Sequence, residues 1–395
     1  MGRDRGDDAG MGRREFVRRS ALGALGAGLA GAGIARAVGE GAEAQAAPTI
    51  PKRVLGRTGL EVPEISFGSF GFENGDLLSS ALDAGMNLVD TAPSYGEGAA
   101  ERAIGRVMAT RRKDAVLMTK WNVNPASSKQ QLLDSLAGSL ERLQTDHVDI
   151  VHVGLAESVD QLRNPAVFEA FGEAKAAGKV RFLGVSTHAG SRADICQAAI
   201  DDGRFDMLCL KHNFGEAAVT EGVLAKAKEK NLGVVAFKVT AGAKPEDVQQ
   251  FAPGKSFPLA AAKWALQNPA VHSALVGITS YEDLKLYASA WGVPLDDEER
   301  RELEAFRERF ASSYCRYCGA CEGACPQRVA VADIMRYRMY AESYGMRAEA
   351  RRLYGRLPEG TTAAACMACN GHCKGACPNG LDTRQGLIGA HGLLG

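Results

Sequence analysis

Asn87-Leu88-Val89-Asp90-Thr91-Ala92-Pro93-Ser94-Tyr95-Gly96 carries a short apolar run into a polar turn, and helical spacing over Ala99–Met108 follows it. The same strand-then-helix unit recurs from Pro51 to about Phe310. Runs that read as strands are Glu64–Phe70, Asn87–Ala92, Ala115–Trp121, Val148–Val153, Val180–Thr187, Met207–Phe214, Leu232–Val239 and Ser273–Ile278. Helical stretches lie between them at Gly75–Ala84, Ala99–Met108, Ser128–Leu143, Pro165–Ala177, Ser191–Asp201, Thr220–Lys230, Pro258–Gln267 and Tyr281–Ala290. Eight such units in about 250 residues predict an α/β chain folded as a (β/α)8 TIM barrel. A doubly wound sheet is the runner-up, but its Gly-x-Gly-x-x-Gly turn after the first strand is missing.

Two cysteine runs close the chain. The first is Cys315-x-x-Cys318-x-x-Cys321-x-x-x-Cys325-Pro326, and the second is Cys366-x-x-Cys369-x-x-x-Cys373-x-x-x-Cys377-Pro378. Eight of the ten cysteines sit there. The first run has the bacterial ferredoxin spacing, in which three thiolates hold one cubane and the fourth reaches across to another. The expectation is a small α-helical ferredoxin-like module over 311–395 holding two [4Fe–4S] clusters. Cys315, Cys318, Cys321 and Cys377 would hold one cluster, and Cys366, Cys369, Cys373 and Cys325 the other. Paired zinc sites and disulfides are the competing readings. Zinc wants two pairs rather than runs of four ending in Cys-Pro, and runs this tight make poor frameworks for independent bridges. The second run has a longer gap, Asn370-Gly371-His372, which Gly371 makes easier to close.

Arg13-Arg14-Glu15-Phe16-Val17-Arg18 precedes a glycine-laced apolar stretch, Ala21–Ala35, and small residues through Ala47. Basic region, weakly hydrophobic region and Ala-x-Ala site follow in the order of a twin-arginine export signal over 1–47. That route carries folded proteins, which suits a domain built around a cluster. The expected location is periplasmic or otherwise extracytoplasmic.

The chain has 395 residues, zero formal net charge and 46% hydrophobic content. This composition supports one large core over 51–310 plus a small module. It gives no electrostatic case for nucleic acid, and membrane contact enters only through the export signal. Cys196 and Cys209, in apolar surroundings, read as buried structural thiols.

Several segments resemble the aldo-keto reductases. Arg53-Val54-Leu55-Gly56-Arg57-Thr58-Gly59-Leu60-Glu61-Val62 is similar to their N-terminal hairpin. The block Asp90-Thr91-Ala92-Pro93-Ser94-Tyr95-Gly96 is similar to their Asp-Thr-Ala-x-x-Tyr-Gly signature, continued by Glu101 and Gly105. Thr119-Lys120 and Gly184-Val185-Ser186 match two further strand-end segments. The resemblance spans about Pro51 to Ala290, and a subgroup with a C-terminal ferredoxin-like module covers the rest. It implies carbonyl reduction by hydride from a nicotinamide. Tyr95 would be the proton donor, Lys120 would lower the tyrosine pKa, and Asp90 would keep the lysine ionised.

The family's histidine stands five residues after an aspartate. Here Asp149 is followed at that position by Gly154, with His152 two residues earlier. Side chains alternate along a strand, so 152 and 154 face the same interior, His152 roughly 6.6 Å lower. His152 is therefore the fourth catalytic candidate. A core histidine and one reaching up through the space glycine leaves both stay open.

The candidates for holding a cofactor are Ser186, Asn213, Lys238, Gly277, Thr279 and Ser280, with His188, Lys211 and His212 at neighbouring strand ends. In the turn after the last strand Asp283 replaces a basic or amide residue, which repels a 2′-phosphate and disfavours NADPH. Thr279 and Ser280 fit either an anion site or an ordinary helix cap. The candidate organic cofactors are NAD(P)H and a flavin.

Two functions follow. One is an exported oxidoreductase acting on a small-molecule carbonyl or alcohol, its clusters relaying electrons to or from a redox partner protein. The alternative is a non-catalytic barrel serving an electron-transfer or assembly subunit.

Overall fold

The computed structural model describes residues 50–251, 257–289, 293–310 and 312–395; the leader read over 1–47 lies outside them. Strands β1 (Lys52–Val54) and β2 (Glu61–Pro63) form an antiparallel hairpin. The next eight are β3 (Ile65–Gly68), β4 (Leu88–Asp90), β5 (Val116–Trp121), β6 (Val148–Val153), β7 (Val180–Thr187), β8 (Met207–Lys211), β9 (Gly233–Phe237) and β10 (Ser273–Gly277). They close in the order β10-β3-β4-β5-β6-β7-β8-β9, every pair parallel, so the barrel expectation holds and the doubly wound sheet falls.

Inward side chains fill the lower barrel. Leu88, Met118, Ile150, Met207, Cys209 and Val235 form one buried cluster with Leu55, Leu60 and Val62 of the hairpin. The hairpin therefore stoppers the N-terminal end. Its turn lies flush on the barrel, since a Cβ on Gly56 would stand 2.3 Å from the Gly233 amide nitrogen. Outward faces of the strands pack on the helices in a second, larger cluster. The motif glycine Gly105 has a steric reason too, as a Cβ there would meet the Arg142 carbonyl oxygen at 2.2 Å.

β6 and β7 span the residues read from sequence, whereas β8 ends three residues early, at Lys211. The Asn213 side chain explains this, because its Oδ1 accepts from the Gly215 amide at 3.1 Å and turns the chain out of the ladder. Helices at Val159–Arg163, Pro245–Phe251 and Asp297–Phe310 were not read individually.

Beyond the barrel, Val331–Ser343, Arg347–Tyr354 and Thr383–Leu394 are helices around their own core, which includes Ile334, Met335, Met339, Leu387 and Ala390. No strand occurs among the described residues of 312–395, and the cysteines occupy the loops and short turns between helices. This module sits on the C-terminal mouth of the barrel. Ser343 donates to the Gly242 carbonyl at 2.8 Å, Lys244 pairs with Glu342 at 2.7 Å, and Lys211 donates to the Arg316 carbonyl at 3.1 Å. Gly190 lies against the first cysteine loop so closely that a Cβ would stand 2.3 Å from the Cys318 carbonyl oxygen.

Leu55 is fully buried in the stopper while neighbouring Val54 is 53% exposed. Leu55→Ala is expected to lower unfolding free energy by about 2–5 kcal/mol, and Val54→Ala to stay within about 0.5 kcal/mol of wild type. Urea denaturation checks the pair.

Candidate active site and the cysteine module

Asp90 ends β4 and Lys120 lies on β5, both facing inward just above the apolar filling. The lysine Nζ stands 2.6 and 2.7 Å from the two Asp90 oxygens and donates to the Thr91 carbonyl at 2.8 Å. Both side chains are only 3% exposed. Burial presses Asp90 towards the neutral acid and the ammonium presses it back. With both oxygens at charge-assisted distance we read the pair as ionised. Burial also opposes the charge on Lys120, but Asp90 and then Tyr95 outweigh it, so the lysine pKa lies above its usual range.

Tyr95, half-buried on the turn after β4, has its ring centre 4.9 Å from the Lys120 Nζ. Lys120 acts on this hydroxyl in the expected direction, lowering its pKa, but burial is the larger influence. Burial pushes it up to about 12, and Lys120 offsets only part of that. A phenol this weak can still protonate an alkoxide, although its phenolate is scarce at neutral pH. Glu101 braces the site from behind, accepting from the Thr119 hydroxyl and from Arg142, each at 2.7 Å.

The turn after β10 is self-capped. Asp283 Oδ2 accepts from the Thr279 amide and hydroxyl at 2.9 Å and from the Ser280 amide at 3.0 Å, while Ser280 Oγ accepts from the Asp283 amide at 3.0 Å. Of the two readings for Thr279 and Ser280, the geometry is that of the helix cap. Gly277 is exposed, with no atom within 4 Å of a would-be Cβ, and an open cleft of about 720 Å³ lined by Thr279, Gly71, Asn74 and Arg106 lies near it. Ser186 is buried beside Cys209, and Asn213 donates to the Lys238 carbonyl at 3.2 Å.

Residues 65–253 match the aldo/keto reductase family. An uncharacterized oxidoreductase, YrpG of Bacillus subtilis, is 30% identical over 308 residues that take in 63% of this chain and 93% of that protein. The chain belongs to the aldo/keto reductase family. It is an oxidoreductase. L-galactose dehydrogenase of Arabidopsis thaliana is 27% identical, over 66% of this chain and 95% of that protein. The holo form of aldo-keto reductase AKR11C1 from Bacillus halodurans, 22% identical, shares the fold with a TM-score of 0.54 over 65% of this chain and 96% of that one. Each match leaves about a third of this reductase uncovered.

Its departure from the family's histidine has a physical account. His152 pairs in register with Lys120 on one side and Gly184 on the other, and it is fully buried. A Cβ on Gly184 would meet its Nδ1 at 2.7 Å, so the imidazole lies across that glycine, inside the barrel. Burial, then Lys120, lowers its pKa to about 3, against a weak contribution from the Val185 backbone. His152 is a neutral interior histidine. The family's position, Gly154, is crowded by Lys120, whose Cβ would lie 2.6 Å from a Cβ there.

The mouth of this reductase is roofed by aromatic rings that sequence reading missed. Tyr340 packs on Phe70 at 4.8 Å between ring centres, and Phe70 on Tyr95 at 5.1 Å. Tyr317 stands over the Lys211 ammonium at 4.7 Å. The signal was the spacing Tyr337, Tyr340 and Tyr344, which places three rings on one helical face.

Cys325 does cross to the second run, where it lines one small cavity with Cys366, Cys369 and Cys373. Cys318 and Cys321 both lie close enough to Cys315 to raise its pKa, behind burial, to about 12. Cys377 closes the short helical turn Lys374–Ala376. Backbone amides of Tyr317 and Gly371 donate to Cys315 at 3.4 Å and Cys369 at 3.3 Å. All ten cysteines are free, and among the described residues no group of three or more His, Cys, Asp or Glu is arranged to hold a metal ion. Cys196 and Cys209 are buried, as expected.

Lys120→Met would strand a buried carboxylate and is expected to cost about 3–5 kcal/mol of stability, with Asp90→Asn restoring part of it in the double variant. Thermal or urea unfolding of the three variants checks this. A pH series checks the histidines. His152 and His212 have folded pKa values lowered to about 3 and about 4, and that of His188 is well below the usual value, burial being the main cause in each. The unfolded chain therefore binds more protons below about pH 6.5, and stability is expected to fall from pH 6.5 to 4.5. His152→Gln should flatten that slope.

Proposed function

We propose that this chain is an exported reductase that interconverts a small-molecule carbonyl and its alcohol at Tyr95, beneath a C-terminal module carrying two [4Fe–4S] clusters. The observation that carries the reading is the placement of Asp90, Lys120 and Tyr95 at adjoining strand ends, directly under the cysteine-bearing roof. This is the end of a parallel barrel where catalytic groups gather.

A carbonyl oxygen beside Tyr95 would take the phenolic proton as its carbon gains a hydride equivalent, turning C=O into HC–OH; alcohol oxidation is the reverse. Lys120, fixed by Asp90, offsets charge developing on that oxygen and on the phenolate left behind. A nicotinamide, when bound, supplies hydride in this family. The turn after β10 does not fit a 2′-phosphate, because Asp283 takes the Thr279 and Ser280 donors and adds a like charge. A flavin, which passes electrons singly or in pairs, suits a hydride site next to one-electron carriers.

The donor set fits the clusters. Four thiols around one cavity, with Cys325 crossing over, support the second site, and the amide-to-sulfur contacts at Cys315 and Cys369 suit thiolates. A cubane spreads its thiolates over four corners, whereas one ion gathers them at about 2.3 Å. Clusters, when bound, would exchange single electrons with a redox partner protein. Arg13 and Arg14 support export in a folded state, to the periplasm or an equivalent compartment. No helix among the described residues is long and apolar enough to cross a membrane.

Tyr95→Phe should lower turnover about 100- to 10,000-fold on any carbonyl substrate, measured with artificial electron donors and with nicotinamides in parallel; unchanged turnover would place the chemistry elsewhere. Anaerobically purified protein should carry iron and acid-labile sulfide in the amount of two cubanes, and zinc without sulfide would reject the clusters. Replacing Arg13 and Arg14 together by lysine should hold the precursor in the cytoplasm.

A further inference from the structure

We propose that the barrel mouth and the C-terminal module jointly form a subsite for an anionic group, built from Lys238 and His188 of the barrel and Arg336 of the module. Lys238 follows β9 with a left-handed backbone, φ +53°, and its Nζ is buried with no hydrogen-bond partner. Its neighbours are the rings of Tyr340 and Tyr317, whose centres lie 5.2 and 5.3 Å away. Ring faces attract a cation weakly and accept none of its three protons in a strong bond.

His188, just past β7, is only 4% exposed, and its Nδ1 lies 3.2 Å from the Arg336 Nη1. A guanidinium can only donate, so Nδ1 accepts and the ring proton sits on Nε2. That Nε2 is buried and has no partner either. Two donors from different strands thus lie buried without acceptors, and donors so placed ordinarily find one.

The carboxylates at this end of the barrel are already engaged. Glu216 takes Lys211 and Arg192, Asp333 takes Arg336, and Glu157 lies near enough to Arg336 to feel its charge. No ion pair reaches Lys238 among the described residues. An oxyanion supplies the missing acceptors and charge together.

The subsite adjoins the reacting centre. Tyr340, beside Lys238, touches Phe70, which touches Tyr95. The group held here is either a carboxylate of the carbonyl or alcohol substrate or the diphosphate of a nucleotide cofactor. That choice of ligand rests on reading Tyr95 as the proton donor; the subsite does not.

Calorimetric titration of the purified holoprotein tests it with D-gluconate, its uncharged counterpart D-glucitol, and inorganic pyrophosphate. At least one anion is expected to bind while glucitol does not. Gluconate binding assigns the substrate carboxylate, and pyrophosphate binding without gluconate assigns a nucleotide diphosphate. Lys238→Met keeps the apolar stem between the rings and should weaken the anion at least tenfold, with Lys238→Arg restoring it; His188→Phe is the second variant. Failure of both anions to bind, or undiminished affinity in both Lys238→Met and His188→Phe, would overturn the subsite. Tyr95→Phe should keep the binding even where turnover is lost, so the two readings fail separately.

Discussion

Closing eight parallel strands into a ring creates one interior with two ends, and whatever fills that interior decides where chemistry can happen. Here the lower part is filled by aliphatic side chains and stoppered by the Leu55–Val62 hairpin, leaving no room for a ligand from below. The inward positions turn polar one layer higher. Asp90 and Lys120 meet there with 3% exposure each, shielded from water, and their charges are tolerable only because each holds the other. Tyr95, half-buried on the turn after β4, stands next to them.

The upper end is not left open. A helical module with its own core lies across it, and its residues enter the barrel's electrostatics directly: Arg336 on His188, Tyr317 over Lys211, the Arg316 carbonyl on the Lys211 ammonium. Basic and aromatic groups of the barrel and the module therefore meet at the C-terminal end. The turn after β10 is likewise occupied from within, since Asp283 takes the Thr279 and Ser280 amides.

Much of this was legible in the sequence, for identifiable reasons. β6 and β7 read to the residue because their mostly buried, Val-rich runs stop at clear turn or polar residues. β8 was overread because only the Asn213 turn distinguishes its end from more strand. Asp90, Tyr95 and Lys120 were found by motif, and the structure brings them together. His152 stayed open because parity gives the face of a side chain but not its neighbours; the glycine at 184, one strand over, settles where the ring lies. Lys238 and His188 were visible only as strand-end residues. Their significance depends on Arg336 and Tyr340, far along the chain in another module, and no local pattern announces that partnership.

Gly190 has a thermodynamic consequence. A side chain there would overlap the Cys318 backbone, so the first cysteine loop and the segment after β7 pack without a gap. Order in one is order in the other, so any ligand the thiols hold acts on the barrel by mass action, drawing the whole chain towards the folded state in proportion to its free concentration. An apoprotein and a loaded one would share a fold yet differ in how long the barrel survives proteases. Maturation of the cysteine loops then becomes a checkpoint for the lifetime of a catalytic domain that contains none of those cysteines.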